Sequence, residues 1–402
     1  MSLTGRNIVI FSQMQFDGRL ESTIYTMARL LAKDNHVYFV DRPYTWKDYF
    51  QFKNTDSFRV RKPHFFSANN SFIQTDLPNL KIVICPPVPS INALPEGPAY
   101  RLAVKFNEWM VAARLKKVIK QLNITDYIYI NSYNFSYPTL HRLLNPALSI
   151  YHCVDPIIEE YQLKHGVNNE EILLKSVDMV ICTSRALQAK KALLNKNSYF
   201  VANAANITHS QTALDPALPV ADILKDIKKP IVGYLGAIER RINYDLMNKV
   251  IAANPDKNFV FVGPVDKDYI NEGDFAAPNL FLSGPVPYDQ MPAVLKGFDV
   301  AIIPFKKDEV SNNIFPLKLF EYLGAGKPVV STDFNNDLQN FTYNVVPYCS
   351  TAEEFSDEIN RAIENNSSDI QQQRLKIAAD NTWEHRIADI KGLIEAALDA
   401  KN

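Results

Sequence analysis

The sequence predicts an α/β protein built from two doubly wound domains in tandem. Three observations support this. Short apolar runs alternate with longer amphipathic stretches along most of the chain, the pattern of parallel strands joined by helical crossovers. The alternation pauses once, over residues 206–229, where the chain turns polar and holds two prolines, and then resumes. The length of 402 residues suits two to three domains of ~100–200 residues.

In the first half, strands are expected at 7–11 (NIVIF), 36–40 (HVYFV) and 80–85 (LKIVIC), then at 127–130, 149–152, 179–182 and 199–201. Helices are expected at 21–31 and 101–122, while the aromatic-rich stretch 44–72 reads as irregular. In the second half, strands are expected at 230–235 (PIVGYL), 258–262 (NFVFV), 280–282, 299–304 (DVAIIP) and 328–331. Helices are expected at 245–253, 316–323, 352–364 and 369–379. The resulting division is an N-terminal domain over 1–206, a linker over 207–229, a C-terminal domain over 230–382 and a last helix over 383–402. Ligands of such sheets bind beyond the carboxyl ends of the strands, so the loops there are the first place to look for function.

Bulk properties narrow the function classes. Lys and Arg total 43 against 44 Asp and Glu, so charge offers no reason to expect a nucleic-acid partner. Cys85, Cys153, Cys182 and Cys349 are widely spaced, and two sit in apolar runs. They read as free thiols in a reducing compartment rather than as disulfides or a zinc set. No apolar run approaches the ~20 residues of a membrane span. A cytoplasmic protein is expected, with peripheral contact at the inner face of the cell membrane as a further option.

The densest chemistry lies in residues 312–332, NNIFPLKLFEYLGAGKPVVST. Pro316 suits a first helical turn, and Gly324 and Gly326 suit the helix end. The opening turn, at Pro316 and Leu317, presents unpaired backbone amides and a positive dipole end, a ready diphosphate site. Lys318 adds a point charge, and Glu321, three residues on, shares its face. A carboxylate there can accept two hydrogen bonds from a cis-diol such as a ribose.

This segment resembles the donor-binding signature of GT-B glycosyltransferases, in particular families 4 and 1, the group 1 enzymes. Their pattern is Glu-x7-Glu, a helix, then Gly-x-Pro-Val-Val. The second Glu, which binds the nucleotide ribose in that family, falls on Glu321. The first falls on Asn313, which can bond a sugar hydroxyl but cannot act as a carboxylate.

The resemblance extends further and implies two Rossmann-like domains facing across a cleft. The run 230–238 (PIVGYLGAI) looks like the opening strand and glycine loop of the donor domain, with Gly236 letting the backbone approach a ligand. Arg240 and Arg241 are candidates to pair with the diphosphate; a solvated charged loop is the plainer alternative. Gly263, in 261–264 (FVGP), lies where the base or sugar would rest. The start of the last helix, at Trp383, looks like the family's crossover back to the N-terminal domain.

On the acceptor side, Asp17, Gly18 and Arg19 follow the first strand. Asp155 and His152 end the strand at 149–152. The resemblance implies that an Asp of the N-terminal domain removes the acceptor's proton in inverting members. Asp155 is the first candidate, Asp17 the second and His152 the third. Each has a plainer alternative: Asp155 as N-cap of a helix opened by Pro156, Asp17 as N-cap or ion-pair partner, and His152 as a buried, hydrogen-bonded histidine. The helix at 101–122 carries Leu102, Phe106, Trp109, Met110, Ala113 and Val118 among Arg101, Lys105, Arg114, Lys116, Lys117 and Lys120. It suits either an anionic membrane surface or packing on the sheet with a basic solvated face.

The function implied is transfer of a sugar from a UDP- or GDP-linked donor to a hydroxyl of a saccharide or lipid-linked saccharide acceptor, in bacterial polysaccharide or glycoconjugate synthesis. No metal requirement is expected, and the only cofactor-like molecule expected is the nucleotide-sugar substrate. The alternatives are a sugar-nucleotide 2-epimerase-like isomerase and a non-catalytic sugar-nucleotide binding protein.

Overall fold

A computed structural model describes residues 3–18, 22–67, 69–158, 160–270 and 275–401. The chain forms two compact units: residues 1–202 with 387–402, and residues 203–386.

The first unit is built on an eight-stranded sheet. Its strands are β1 (Asn7–Ser12), β2 (His36–Val40), β3 (Phe72–Gln74), β4 (Leu80–Val83), β5 (Tyr127–Ser132), β6 (Leu148–Cys153), β7 (Met179–Cys182) and β8 (Ser198–Phe200). The order is β3-β4-β2-β1-β5-β6-β7-β8, parallel except for β3. Side chains of β1 alternate between two cores. Ile8 and Ile10 join Met27 and Leu31 on one face, with Ile387, Ile390 and Ile394 of the last helix (Trp383–Asp399). Val9 and Phe11 join Val111, Leu115 and Val118 of the helix Pro98–Gln121 on the other. β1 pairs with β2 on one side and β5 on the other, which makes the crevice beyond Ser12 and Ser132 the topological switch point of this sheet.

The stretch 44–72 is not irregular. Thr45 and Asp48 form a capping box that opens the helix Trp46–Gln51, and a second helix, Asp56–Arg61, follows it. Tyr44, Tyr49, Phe58 and Phe65 pack together beneath them. Two six-residue helices are too short to display a helical period, which is why the aromatic density hides them.

Arg61, fully buried, ties this stretch to the loop after β1. Its guanidinium donates to both carboxylate oxygens of Asp17, at 2.6 and 2.7 Å, and to Asp41 at 2.7 Å. Asp41 also accepts from the Phe16 amide at 3.0 Å. Replacing Arg61 with leucine leaves a buried carboxylate without its counter-charge, and a loss of about 3–5 kcal/mol of stability is expected by urea denaturation. Adding Asp41→Asn should recover part of that loss; no recovery would mean that the pair is not what holds this region.

The second unit has a six-stranded, all-parallel sheet in the order β11-β10-β9-β12-β13-β14. The strands are β9 (Ile231–Leu235), β10 (Asn258–Val262), β11 (Leu280–Leu282), β12 (Val300–Ile303), β13 (Val329–Thr332) and β14 (Tyr348–Cys349). β9 pairs with β10 on one side and β12 on the other, so its switch point lies beyond Leu235 and Ile303. The segment 207–229 is not a free linker. It holds the helix Ile207–Gln211, and it buries Ile207, Ala213 and Leu224 within the second unit. Its polar surface conceals these few apolar anchors, which are too sparse to show a period.

Candidate functional site

In the second unit the site grows from the loop after β9. The Ile238 amide donates to the Pro264 carbonyl at 2.8 Å, and the Asn243 amide donates to Pro304 at 2.8 Å. This loop is therefore stitched to the ends of both neighbouring strands, across the switch point. Gly236 and Gly263 stand at φ +147° and +154°, and a Cβ on Gly263 would lie 2.0 Å from the Gly236 carbonyl oxygen. A side chain at 263 would force these two turns apart.

The helix Leu317–Gly324 begins where β12's outgoing loop ends, with Pro316 as N-cap and no side-chain cap. Its first-turn amides are thus not consumed by a capping side chain, as an anion site needs. Tyr322 fixes the helix against the sheet: its hydroxyl accepts from the Leu235 amide at 2.8 Å and donates to the Leu235 carbonyl at 3.1 Å. One turn back, the Lys318 ammonium donates to the Tyr234 hydroxyl at 2.7 Å and sits 3.9 Å from the Tyr234 ring centroid. It fills the space beside Gly236, where a Cβ would meet Nζ at 2.4 Å. Burial, reinforced by the charge of Arg241, lowers the Lys318 pKa to about 7.

Arg241 is ion-paired with Glu239 and lies over the Phe305 ring, 5.4 Å from its centroid. Two cations thus converge on one half-buried spot, with Glu321 and Glu239 offering partial compensation. Two cations held this close in a half-buried spot favour an anion beside them. Arg240 lies half-buried in the same turn. Asn313 is buried; its amide nitrogen donates to the Glu309 carbonyl, while its enclosed side-chain oxygen has no partner among the described residues.

In the first unit, Asp17 and Gly18 lie on the loop after β1, and Arg19 lies outside the described residues. Burial alone would raise the Asp17 carboxyl, but the hydrogen bonds and charge of Arg61 outweigh it and hold its pKa below the usual carboxylate value. Asp17 is engaged as an ion-pair partner, which weakens it as a base. His152 is buried with Nδ1 3.3 Å from the Ser132 hydroxyl, and burial lowers its pKa to about 4, so it is neutral at physiological pH.

Asp155 lies exposed just past β6. The following helix runs Glu160–Leu174, so Pro156 does not open it and Asp155 is not its N-cap. Tyr133, at φ +54°, donates its hydroxyl to the Pro156 carbonyl at 2.8 Å and so secures the backbone beside Asp155.

Sequence reasoning missed Tyr234, Tyr322 and Glu239, and gave Phe305 no role beyond ending its strand. Tyr234 sits in an apolar strand run and reads there as core. Only the fold turns the Tyr234 hydroxyl and the Phe305 ring toward the two cations.

These features define the class: two units, each with a doubly wound, mostly parallel sheet, the second with a pair of cations at its switch point, make a GT-B fold. The chain superimposes on sucrose-phosphate synthase from Thermosynechococcus elongatus with a TM-score of 0.67 at 14% identity, covering 98% of this chain and 100% of that one. For α,α-trehalose 6-phosphate synthase from Burkholderia multivorans the TM-score is 0.68 at 10% identity, covering 99% and 98%. For Anabaena HepE in complex with UDP and glucose it is 0.60 at 14% identity, covering 98% and 99%.

Residues 220–382, which lie within the second unit, match the family model of the glycosyl transferases group 1. A curated relative, the putative teichuronic acid biosynthesis glycosyltransferase TuaH of Bacillus subtilis strain 168, is 26% identical over 213 residues, 49% of this chain and 53% of that protein. The chain thus matches that relative over about half of the relative's length.

Proposed function

We propose that the protein transfers a sugar from a nucleoside-diphosphate sugar to a hydroxyl of a saccharide acceptor. The observation that carries this reading is the convergence of Lys318 and Arg241 beside the uncapped opening of the helix Leu317–Gly324. Cations and backbone amides arranged in advance stabilise a leaving diphosphate as its charge develops, and they can do so without a metal. Glu321 binds the ribose in this reading. The HepE complex with UDP and glucose, and the family match over 220–382, support a nucleotide-sugar donor. The relative's name, which places that protein in teichuronic acid biosynthesis, supports a saccharide acceptor; in this reading the acceptor is free or lipid-linked and the work is done in the cytoplasm.

The test is a thermal-shift screen with UDP, GDP, dTDP and their sugars at millimolar concentration. At least one nucleotide is expected to raise Tm by several degrees, since ligand at about 100 times Kd adds about 2.7 kcal/mol. Glu321→Ala is expected to abolish that shift. A flat response to every nucleotide sinks the reading; an unchanged shift in the variant removes Glu321 from the site.

A further inference from the structure

The helix Pro98–Gln121 has 24 residues and packs Val111, Leu115 and Val118 against the sheet of the first unit. Its outward face is not the uniformly charged surface expected of a solvated helix. Leu102, Phe106 and Trp109 recur at helical spacing and are 70%, 49% and 60% exposed, and the two aromatic rings stack at 5.8 Å. Lys105 borders them, and Lys116, Lys117 and Lys120 continue the same exposed face through the last two turns. Of the two remaining cations, Arg101 pairs with Glu96, and Arg114 is buried and bonded to the Phe65 carbonyl and the Ser71 hydroxyl. That bond brings the loop after Phe65 alongside the helix. There Phe66 (62% exposed) stacks on Trp46, which stacks in turn on Phe50 (63% exposed).

We propose that this face docks on an anionic lipid bilayer, with the aromatic half entering the headgroup region and the lysines resting on its charge. Exposed Trp, Phe and Leu flanked by lysines are the composition of an interfacial helix face. A protein partner fits less well, because protein interfaces are depleted of lysine. The placement also suits the proposed reaction, on which the link to an acceptor rests. The helix joins parallel strands β4 and β5, so its aromatic half begins at the carboxyl end of the sheet, the end that carries Asp155. A lipid-linked acceptor would emerge from the bilayer at that end.

The experiment is co-sedimentation of the full chain with vesicles of phosphatidylcholine alone, or with about 30 mol % phosphatidylglycerol. Binding to the anionic vesicles, weak binding to the neutral ones and release by salt are expected. Lys116→Glu combined with Lys117→Glu and Lys120→Glu is expected to weaken binding on the order of 100-fold. Phe106→Ser with Trp109→Ser should abolish it. All these positions are exposed, and a retained UDP-induced thermal shift in each variant confirms an intact fold.

A wild-type chain that stays in the supernatant with both vesicle types overturns the proposal, as do variants that bind like wild type. If light scattering instead shows a wild-type dimer that Phe106→Ser with Trp109→Ser converts to monomer, without vesicle binding, the face is a self-interface. A chain that binds vesicles but no nucleotide would sink the transferase reading and leave this face standing.

Discussion

Replacing Lys318 with methionine is expected to weaken UDP binding by on the order of 100-fold and, at the same time, to stabilise the folded protein. Both effects follow from one half-buried ammonium beside Arg241, with its pKa lowered from 10.5 to about 7. A hydrogen bond from a charged donor contributes about 1.5–3 kcal/mol, which sets the affinity loss. The pH dependence follows from the same group. Below about pH 7 the free protein already carries the charge and binds the diphosphate fully. Above it, binding must take up a proton, so affinity falls by up to about tenfold per pH unit until the pKa of the bound state is passed.

Titration calorimetry near pH 8, in buffers of differing ionisation enthalpy, should show proton uptake for wild type and none at this position for Lys318→Met. Equal uptake in both would assign the titration to another group. For stability the sign is opposite to that of an ordinary ion pair. The folded pKa lies below the unfolded one, so the unfolded state binds more protons between about 7 and 10.5. The penalty is full below about pH 7 and is relieved as pH rises. Lys318→Met should therefore raise Tm by roughly 2–6 °C at neutral pH, with the gap closing at alkaline pH. A variant less stable than wild type at pH 7 would contradict a desolvated ammonium.

The second large effect is expected at Asp155. As the proposed general base, its replacement by asparagine should lower turnover by about 10²–10⁴-fold while UDP affinity stays within about twofold. UDP release from the donor found in the nucleotide screen, with a membrane extract as acceptor source, reads the first quantity, and the thermal shift reads the second. Unchanged turnover removes Asp155 from the chemistry. Asp17→Asn serves as the contrast. Its carboxylate is engaged by Arg61, so its loss should appear first in the stability of the loop after β1.

Much of the fold was readable from periodicity. Strands such as His36–Val40, Met179–Cys182 and Asn258–Val262 stand where the apolar runs place them, because a strand buried on both faces must be apolar at nearly every position. The stretch 44–72 and the segment 207–229 were not readable. Their helices are too short for a period, and their burial depends on partners far away in sequence. The donor-side candidates were legible because Lys318 and Glu321 stand three residues apart on one short helix. Tyr234, Glu239 and Phe305 were not, because they meet Lys318 and Arg241 only when β9, its loop and β12 are brought side by side.

The same division holds for chemistry. The sequence by itself determined the residue types: a helix opening with Pro316, a lysine and a carboxylate on one face, and an amide at Asn313. Those choices are local, and local spacing specifies them. Tertiary structure alone decided which charges are strained and which are quenched. It buries Lys318 beside a second cation, quenches Asp17 on Arg61, keeps His152 neutral and leaves Leu102, Phe106 and Trp109 exposed. Each outcome is set by desolvation and by neighbours from other elements, and neither is encoded at the residue itself.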